Sequence, residues 1–201
     1  MDDVKPRRQE YAEATRAALV DSARQLFVDR GYPATSIEDV VRSARVTRGA
    51  LYHHFDTKMD LFIAVFEQVE TETMDRLTEA LGVIVAPWDA ALTALDAYLD
   101  ACLAPAYQRI ILQDGPVALG WQRWRALDQQ HSIRRLEQII VVLIDAGELR
   151  PQPTALLARI ICAAAGEAAF AVSENEDPAK ARDQAAHLLR QLFGGLRHNE
   201  P

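Results

Sequence analysis

One short segment combines the side-chain types that proteins use to contact nucleic acid: Thr47, Arg48, Gly49, Tyr52 and His53. An arginine and a hydroxyl can hydrogen-bond to base edges, a glycine permits close approach, and Tyr and His can bind phosphates. Only Ala50 and Leu51 remain to face inward, so a helix here exposes the polar set. The pattern favours a helix lying in the major groove of DNA. A short solvated helix in an all-α domain is the alternative.

The elements around this segment are marked by capping signals. Thr35 is followed by Glu38 in a capping-box spacing, which predicts the start of a preceding helix. Thr47 is a suitable N-cap for the polar segment, and Thr57 with Asp60 predicts the start of the next helix. Helix, tight turn and short helix form the layout of a helix-turn-helix. We add to the expected DNA contacts the residues at the ends of these helices: Thr35, Ser36 and Lys58.

The same region resembles the tetracycline-repressor (TetR) family of one-component bacterial regulators. The resemblance covers less than a quarter of the chain, but its residues are dense and ordered. Its most specific part is the run Leu51-Tyr52-His53-His54-Phe55 followed by Lys58. The other matching residues are Leu19, Ala23, Leu26, Phe27, Gly31, Tyr32, Thr35, Ile37, Val40, Ala44, Val46, Gly49, Leu61 and Phe62. The resemblance implies a sequence-specific, DNA-binding transcriptional regulator.

Charge is unevenly distributed along the chain. The net charge of −7 over 201 residues argues at first against a nucleic-acid partner. Residues 1–60, however, carry ten basic and ten acidic side chains, so residues 61–201 hold the whole negative excess. A neutral DNA-reading segment on an acidic body is compatible with DNA binding and predicts weak non-specific affinity.

Composition and apolar periodicity indicate an all-α protein of one or two domains. We expect a helix-turn-helix domain over residues 1–56 and a helical effector-binding and dimerisation domain over residues 57–201. Helices are predicted at Glu10 to Arg30, Thr57 to Leu81, Trp88 to Leu103, Tyr107 to Leu112, Val117 to Asp145, Thr154 to Val172 and Pro178 to Phe193. A turn is predicted at Asp114 to Pro116.

No pattern of a catalytic or metal site stands out. His53 and His54 are adjacent and point about 100° apart on a helix, so they cannot share a metal. Cys102 and Cys162 show no zinc-site spacing, and two buried thiols in a reducing cytoplasm are favoured over a disulfide. No apolar run is long enough for a signal peptide or a membrane span. We therefore expect a cytoplasmic protein that is no enzyme, needs no cofactor and does not enter the membrane.

Aromatic side chains and one cysteine are concentrated in the middle of the body. Ordinary core packing would explain each of them taken alone. In proteins of the family that this chain resembles, the body helices enclose a pocket for a small effector. That resemblance implies a small apolar or aromatic effector, and the candidate pocket residues are Phe62, Phe66, Tyr98, Cys102, Tyr107, Trp121 and Trp124.

The penultimate helix is rich in alanine and apolar on more than one face, so it needs more than one packing partner. In proteins resembling this one, the last two long helices of each subunit form a four-helix dimer interface. The candidate interface residues are Leu156, Ile160, Ala163, Phe170, Leu188, Leu189 and Leu192.

Two functional hypotheses follow. The first is a homodimeric regulator of operator DNA, most often a repressor, which an effector releases. The second is a small-molecule-binding helical dimer whose DNA-binding segment is vestigial, and the acidic net charge is its only support. An activator is a third possibility that the sequence does not separate from a repressor.

Overall fold

The computed structural model describes residues 7–81 and 86–198, and helices make up nearly all of their regular structure. The helices are α1 Arg7–Arg30, α2 Ile37–Ser43, α3 Arg48–His54, α4 Lys58–Leu81, α5 Pro87–Ala101, α6 Gly115–Leu119, α7 Trp121–Asp145, α8 Thr154–Ser173 and α9 Pro178–Gly194. A π-helical segment, Tyr107–Asp114, precedes α6. Within the described ranges, the extended pairing consists of one isolated bridge between Leu149 and Arg197. The all-α fold class is confirmed.

The start of α2 differs from the prediction by one residue. Ser36, not Thr35, is the N-cap, and it forms a reciprocal capping box with Asp39: the Asp39 amide donates to Ser36 Oγ at 3.1 Å and the Ser36 amide to Asp39 Oδ2 at 3.2 Å. Thr35 is only 2% exposed, and its hydroxyl donates to the carbonyls of Leu26 and Gly31. Burial of Thr35 against the end of α1 therefore moved the cap to the next hydroxyl along the chain.

The caps predicted at Thr47 and Thr57 are confirmed. The Ala50 amide donates to Thr47 Oγ1 at 3.1 Å, which orients the first turn of α3. The Thr57 amide donates to Asp60 Oδ2 at 2.9 Å, and the Asp60 amide donates to Thr57 Oγ1 at 3.1 Å. Each cap satisfies an amide that the first turn of a helix leaves without a backbone acceptor.

The chain between α5 and α7 differs most from the prediction. The π-helical segment continues directly into α6, so the turn predicted at Asp114 to Pro116 is helical. The helix predicted from Val117 to Asp145 is interrupted at Gly120, whose φ of +75° ends α6. Trp124 lies beneath this bend: its Nε1 donates to the Ile111 carbonyl at 2.8 Å, and a Cβ added to Gly115 would stand 2.7 Å from the Trp124 ring. The Trp124 side chain therefore packs against the end of the π-helical segment and the start of α6.

One hydrophobic core joins the first three helices to α4. Phe27, Tyr32 and Phe62 form an aromatic cluster with ring centroids 4.7–5.6 Å apart. Leu51 anchors α3 in the same core and is fully buried. The first half of α4 thus packs with α1 to α3 in a unit that we call the head, while its second half packs among the later helices, which we call the body.

The body is a bundle of α4 to α9. One core cluster of the body contains Trp88 from α5 with Ile140 and Leu143 from α7. Ion pairs on one side tie α9 to α5, because Arg182 contacts both Asp96 and Asp100. Cys102 and Cys162 are not joined by a disulfide, in agreement with the sequence interpretation.

Removing the ring of Phe62 is expected to destabilise both parts of the protein. Phe62→Ala should lower the free energy of unfolding by about 3–5 kcal/mol, because the cavity left between α1 and α4 cannot collapse. Urea unfolding followed by circular dichroism at one protein concentration measures this loss. Tyr11→Ala, which removes a side chain that is 75% exposed, is the matched control and should cost less than about 0.5 kcal/mol. Equal losses for the two variants would contradict the role of Phe62.

Candidate nucleic-acid interface and internal cavity

The exposed face of α3 carries the polar set that the sequence singled out. Leu51 holds the helix to the core, and Arg48, Gly49, Tyr52 and His53 are all exposed. Arg45 has a left-handed φ of +56° in the turn before α3. This turn sets α3 across α2, as a helix-turn-helix requires.

Arg48 is held in place by neighbours within the head. Its Nη1 lies 2.6 Å from Glu38 Oε1, its Nη2 donates to the Tyr52 hydroxyl at 3.2 Å, and its guanidinium lies 5.5 Å from the Tyr52 ring centroid. These neighbours raise the pKa of Arg48, with the Tyr52 hydroxyl as the largest cause. Both partners of the ion pair are more than half exposed, so solvent screens it and exchange for another partner costs little.

Gly49 has no packing reason to be a glycine. A Cβ added there would meet only Thr47 Oγ1, at 3.9 Å, which is ordinary van der Waals contact. The exposed glycine leaves room for the close approach that a helix in a DNA groove needs.

Two of the residues expected to contact phosphate are engaged inside the protein. The Thr35 hydroxyl is buried and bonded to two carbonyls, so it cannot reach a phosphate. The half-buried Lys58 Nζ donates to the Tyr32 carbonyl and lies 4.1 Å from the Tyr32 ring centroid. Ser36 is exposed, although its hydroxyl donates to Asp39. The sequence pattern marks helix ends but does not show which of these side chains the fold buries.

A second cluster of contacts connects the head to the π-helical segment. The Tyr32 amide donates to Asp114 Oδ2 at 2.6 Å, and Arg109 Nε lies 3.3 Å from the same oxygen. Gly31, with φ of +83°, lies beneath the Arg109 guanidinium, where a Cβ would stand 1.8 Å from Nη2. Asp114 is thus a single carboxylate that receives hydrogen bonds from both domains.

The body contains an apolar cavity of about 170 Å³ among α4, α5, α7, α8 and the π-helical segment. Of the predicted pocket residues, Tyr98 and Tyr107 line it. The other five do not: Phe62, Phe66, Cys102 and Trp124 are buried in the core, and Trp121 stacks on Trp124 and Phe170. Phe62, Phe66, Cys102 and Trp124 belong to the same core cluster as Tyr107, which lines the cavity.

Sequence reasoning missed most of the cavity wall. The residues it did not name include Met74, Leu77, Trp88, Asp128, Arg135 and Cys162. A usable signal exists in α7, where Asp128, Ser132, Ile139 and Leu143 recur at helical spacing on one face, and all four line the cavity. Asp128 and Ser132 make the first part of this face polar, and Ile139 and Leu143 make the second part apolar, so α7 brings a carboxylate to an otherwise mainly apolar cavity.

The carboxyls near the cavity have unusual ionisation. Burial raises the pKa of Asp128 to about 6, against a lowering contribution from Arg125. Burial also raises the pKa of Glu70 well above its ordinary value, and the charge of Asp128 adds to this rise. Strong burial raises the pKa of the Tyr98 and Tyr107 hydroxyls as well. Titratable groups with shifted pKa values around a cavity are typical of a functional site.

Two family models cover the two parts of the chain. The model described as "Bacterial regulatory proteins, tetR family" matches residues 19–65, and the model described as "Tetracyclin repressor-like, C-terminal domain" matches residues 88–196. The chain belongs to the TetR family. It is therefore a helix-turn-helix DNA-binding transcriptional regulator, and TetR-family regulators are not enzymes.

Relatives and solved structures agree with this assignment. The chain is 29% identical over 157 residues to the transposon Tn10 TetC protein of Escherichia coli, covering 78% of this chain and 79% of that protein. A crystal structure of a TetR-family regulator from Pectobacterium atrosepticum has a TM-score of 0.84 and 35% identity, covering 96% of this chain and 98% of that one. The fold is also similar to that of RolR in complex with resorcinol, with a TM-score of 0.70, 18% identity and coverage of 92% and 89%.

The buried carboxyl of Asp128 is expected to lower stability near neutral pH. Because its folded pKa of about 6 exceeds the ordinary value of 3.8, its contribution to stability is complete below pH 3.8 and is lost as pH rises through 6. Asp128→Asn should therefore raise the free energy of unfolding by about 1–3 kcal/mol near pH 7, and the gain should vanish toward pH 4. Urea unfolding across this pH range measures it, with Asp145→Asn as an exposed control on the same helix. A gain that grows as pH falls would show that the carboxyl is not destabilised by burial.

Proposed function

We propose that this TetR-family protein is a homodimeric, cytoplasmic repressor whose operator affinity is switched by a small molecule bound in the body cavity. The observation that carries the proposal is that α4 contributes both to the head core, through Phe62, and to the cavity wall, through Met74 and Leu77. The proposed division is a DNA-binding domain over residues 1–56 and an effector-binding and dimerisation domain over residues 57–201.

Contact with DNA would be made mainly by α3. Thr47 and Arg48 are the proposed base readers, Gly49 permits close approach, and Tyr52 and His53 bind phosphates. Arg48 would leave Glu38 for the base edge, an exchange that costs little because the pair is exposed. Ser36, the N-cap of α2, remains a phosphate contact in this proposal, whereas Lys58 acts from inside the head by holding the Tyr32 carbonyl.

Two routes connect the cavity to the head. One is α4 itself, which is continuous from Lys58 to Leu81. The other is the π-helical segment, because Tyr107 at one end lines the cavity and Asp114 at the other end accepts the Tyr32 amide. A ligand that displaces either wall would change the spacing of the two heads, which must fit major grooves about 34 Å apart.

The surface formed by α8 and α9 supports self-association. Leu156, Ile160, Leu188 and Leu192 are each between 57% and 63% exposed, and they recur at helical spacing. Ala163 is also exposed, whereas Leu189 is buried and Phe170 packs on Trp121 and Trp124, so these two belong to the subunit's own core. We call the exposed residues Leu156, Ile160, Ala163, Leu188 and Leu192 the apolar face.

Among the described residues, α8 is a helix long and apolar enough to cross a membrane, with a mean hydropathy of 1.8. A second copy of the chain is the proposed partner of this face, because two such surfaces would form the four-helix interface that dimeric binding to a near-palindrome needs. No association with the membrane is proposed.

Selection from a randomised duplex library over a series of salt concentrations tests the proposal as a whole. Recovery of a near-palindrome would support a dimeric, sequence-specific regulator and provide the operator. Retention that depends steeply on salt without a selected sequence would indicate phosphate contacts alone. A folded dimer that enriches nothing at low salt would favour a ligand-binding dimer with a vestigial head, the reading that the acidic net charge supports.

Arg48→Ala should weaken binding to the selected operator by about 1–3 kcal/mol while leaving non-specific DNA nearly unaffected, because a base contact is lost. Fluorescence anisotropy with the operator and a scrambled duplex measures both affinities. Arg150→Ala removes the same charge from the exposed surface of the body and should change neither. An equal loss on both duplexes would instead assign Arg48 to a phosphate.

Ile160→Glu combined with Leu192→Glu should convert the protein to a folded monomer, because facing carboxylates would be buried without partners. Sedimentation velocity measures the mass, and circular dichroism confirms the helical content. Val117→Glu is the control, since that side chain is 79% exposed on α6 and outside the apolar face. A double variant that stays dimeric would place the interface elsewhere, and flotation of the wild type with liposomes would assign the face to lipid.

A further inference from the structure

Glu70 is a buried acid on α4, one turn before the first residue of that helix that lines the cavity. It precedes Met74 and Leu77 by four and seven residues on α4, so the three side chains share one face of that helix, and the latter two line the cavity. Glu70 is 8% exposed, and within the described residues its Oε1 has no hydrogen-bond partner. Its charge acts on Tyr98 and Tyr107, which also line the cavity. Glu70 is therefore a buried acid close to residues that line the cavity, although it is not itself part of the lining.

Asp128 adds a second carboxyl from α7. It lines the cavity directly, and its charge acts on Glu70 and on Cys162 across the space. Neither acid forms an ion pair with another described residue. Arg125, which acts on Asp128, is exposed on α7, and Arg135 at the cavity wall donates to Thr78 Oγ1. Two largely buried acids that are not ion-paired with any described residue are costly, and a positively charged ligand would provide a direct partner.

We propose that the cavity binds a lipophilic organic cation, an amine or ammonium group on a single ring or short chain, with Glu70 and Asp128 as its counter-ions. Most other lining residues are apolar, with Ser132 and Arg135 as further polar members, and two tyrosines suit a cation. The rings of Tyr98 and Tyr107 stand at 88° with centroids 6.3 Å apart, and the Tyr107 hydroxyl donates to the Tyr98 hydroxyl at 3.5 Å. Both residues line the cavity, so they add aromatic surface that attracts an ammonium group. The proposal identifies the ligand class of the effector site and rests on the proposed function only for the ligand's regulatory role.

The volume sets the size of the ligand. A cavity of about 170 Å³ is slightly larger than the ~150 Å³ that holds one benzene molecule in a protein core. One aromatic ring with a two-carbon amine arm is therefore a suitable probe. Burial raises the pKa of each carboxyl, and a bound cation would favour the ionised forms and lower both pKa values.

The test compares three probes of similar shape and different charge: 2-phenylethylamine, 2-phenylethanol and phenylacetate. Isothermal titration calorimetry on the full-length protein near neutral pH measures each affinity. We expect the amine to bind at least about tenfold more tightly than the alcohol, and phenylacetate to bind most weakly, because charge-assisted hydrogen bonds distinguish the three. Absence of amine binding, equal binding of amine and alcohol, or a preference for phenylacetate through Arg135 would each overturn the proposal.

Substitutions assign the charge to the two acids. Glu70→Gln and Asp128→Asn should each weaken amine binding about tenfold while changing alcohol binding less than about twofold. Glu79→Gln and Asp145→Asn remove exposed acids from the same two helices and should leave amine binding unchanged. Circular dichroism confirms that each variant is folded. If all four variants weaken amine binding equally, the effect comes from the protein's net charge. The assignment of Glu70 and Asp128 as counter-ions would then be overturned.

A separate measurement keeps this proposal distinct from the proposed function. Anisotropy of the operator complex reports whether the amine releases DNA. Amine binding that leaves the operator complex intact would retain the cation site and remove its effector role. Operator recovery without amine binding would retain the regulator and remove the cation site.

Discussion

The packing of Phe62 against Phe27 and Tyr32 is the contact on which the rest of the molecule depends. It fixes the N-terminal half of α4 inside the head, so that α4 cannot tilt without moving α3. Fifteen residues further along α4, Leu77 faces the cavity. Because protein cores are closely packed and deform little, a displacement at one end of this helix is passed to the other end rather than absorbed.

The Asp114 carboxylate forms a second connection between the head and the body. It accepts the Tyr32 amide and pairs with Arg109, whose guanidinium covers Gly31 at the end of α1. Lys58 and Thr35 complete this region by donating to the Tyr32 and Gly31 carbonyls. Side chains that looked suited to phosphates thus hold the joint between head and body. The proposed DNA contacts lie mainly on the exposed residues of α3.

Two features carry a cost that folding alone does not explain. Glu70 and Asp128 are largely buried and form no ion pair with another described residue, although amides or apolar groups would be less costly there. The apolar face of α8 and α9 remains exposed in a single subunit, although charged residues would keep it soluble. Both costs fall when a partner is present, a cation in the first case and a second subunit in the second. Surfaces and sites that are unfavourable alone and favourable when occupied are typical of regulated, oligomeric proteins.

The sequence by itself determined the helical fold, the helix-turn-helix with its caps at Thr47 and Thr57, the exposed residues of α3 and the TetR family. These depend on local spacing: capping, helical periodicity and a short motif are all written within a few consecutive residues. Only the tertiary structure decided that Thr35 is buried, that Lys58 binds a carbonyl and that Trp124 packs against Gly115. It also decided that Phe62 and Phe66 are core, while Asp128 reaches the cavity. Each of these outcomes depends on which distant helix packs against a residue. Local periodicity predicts which side of a helix is apolar, but it does not identify the element that packs there.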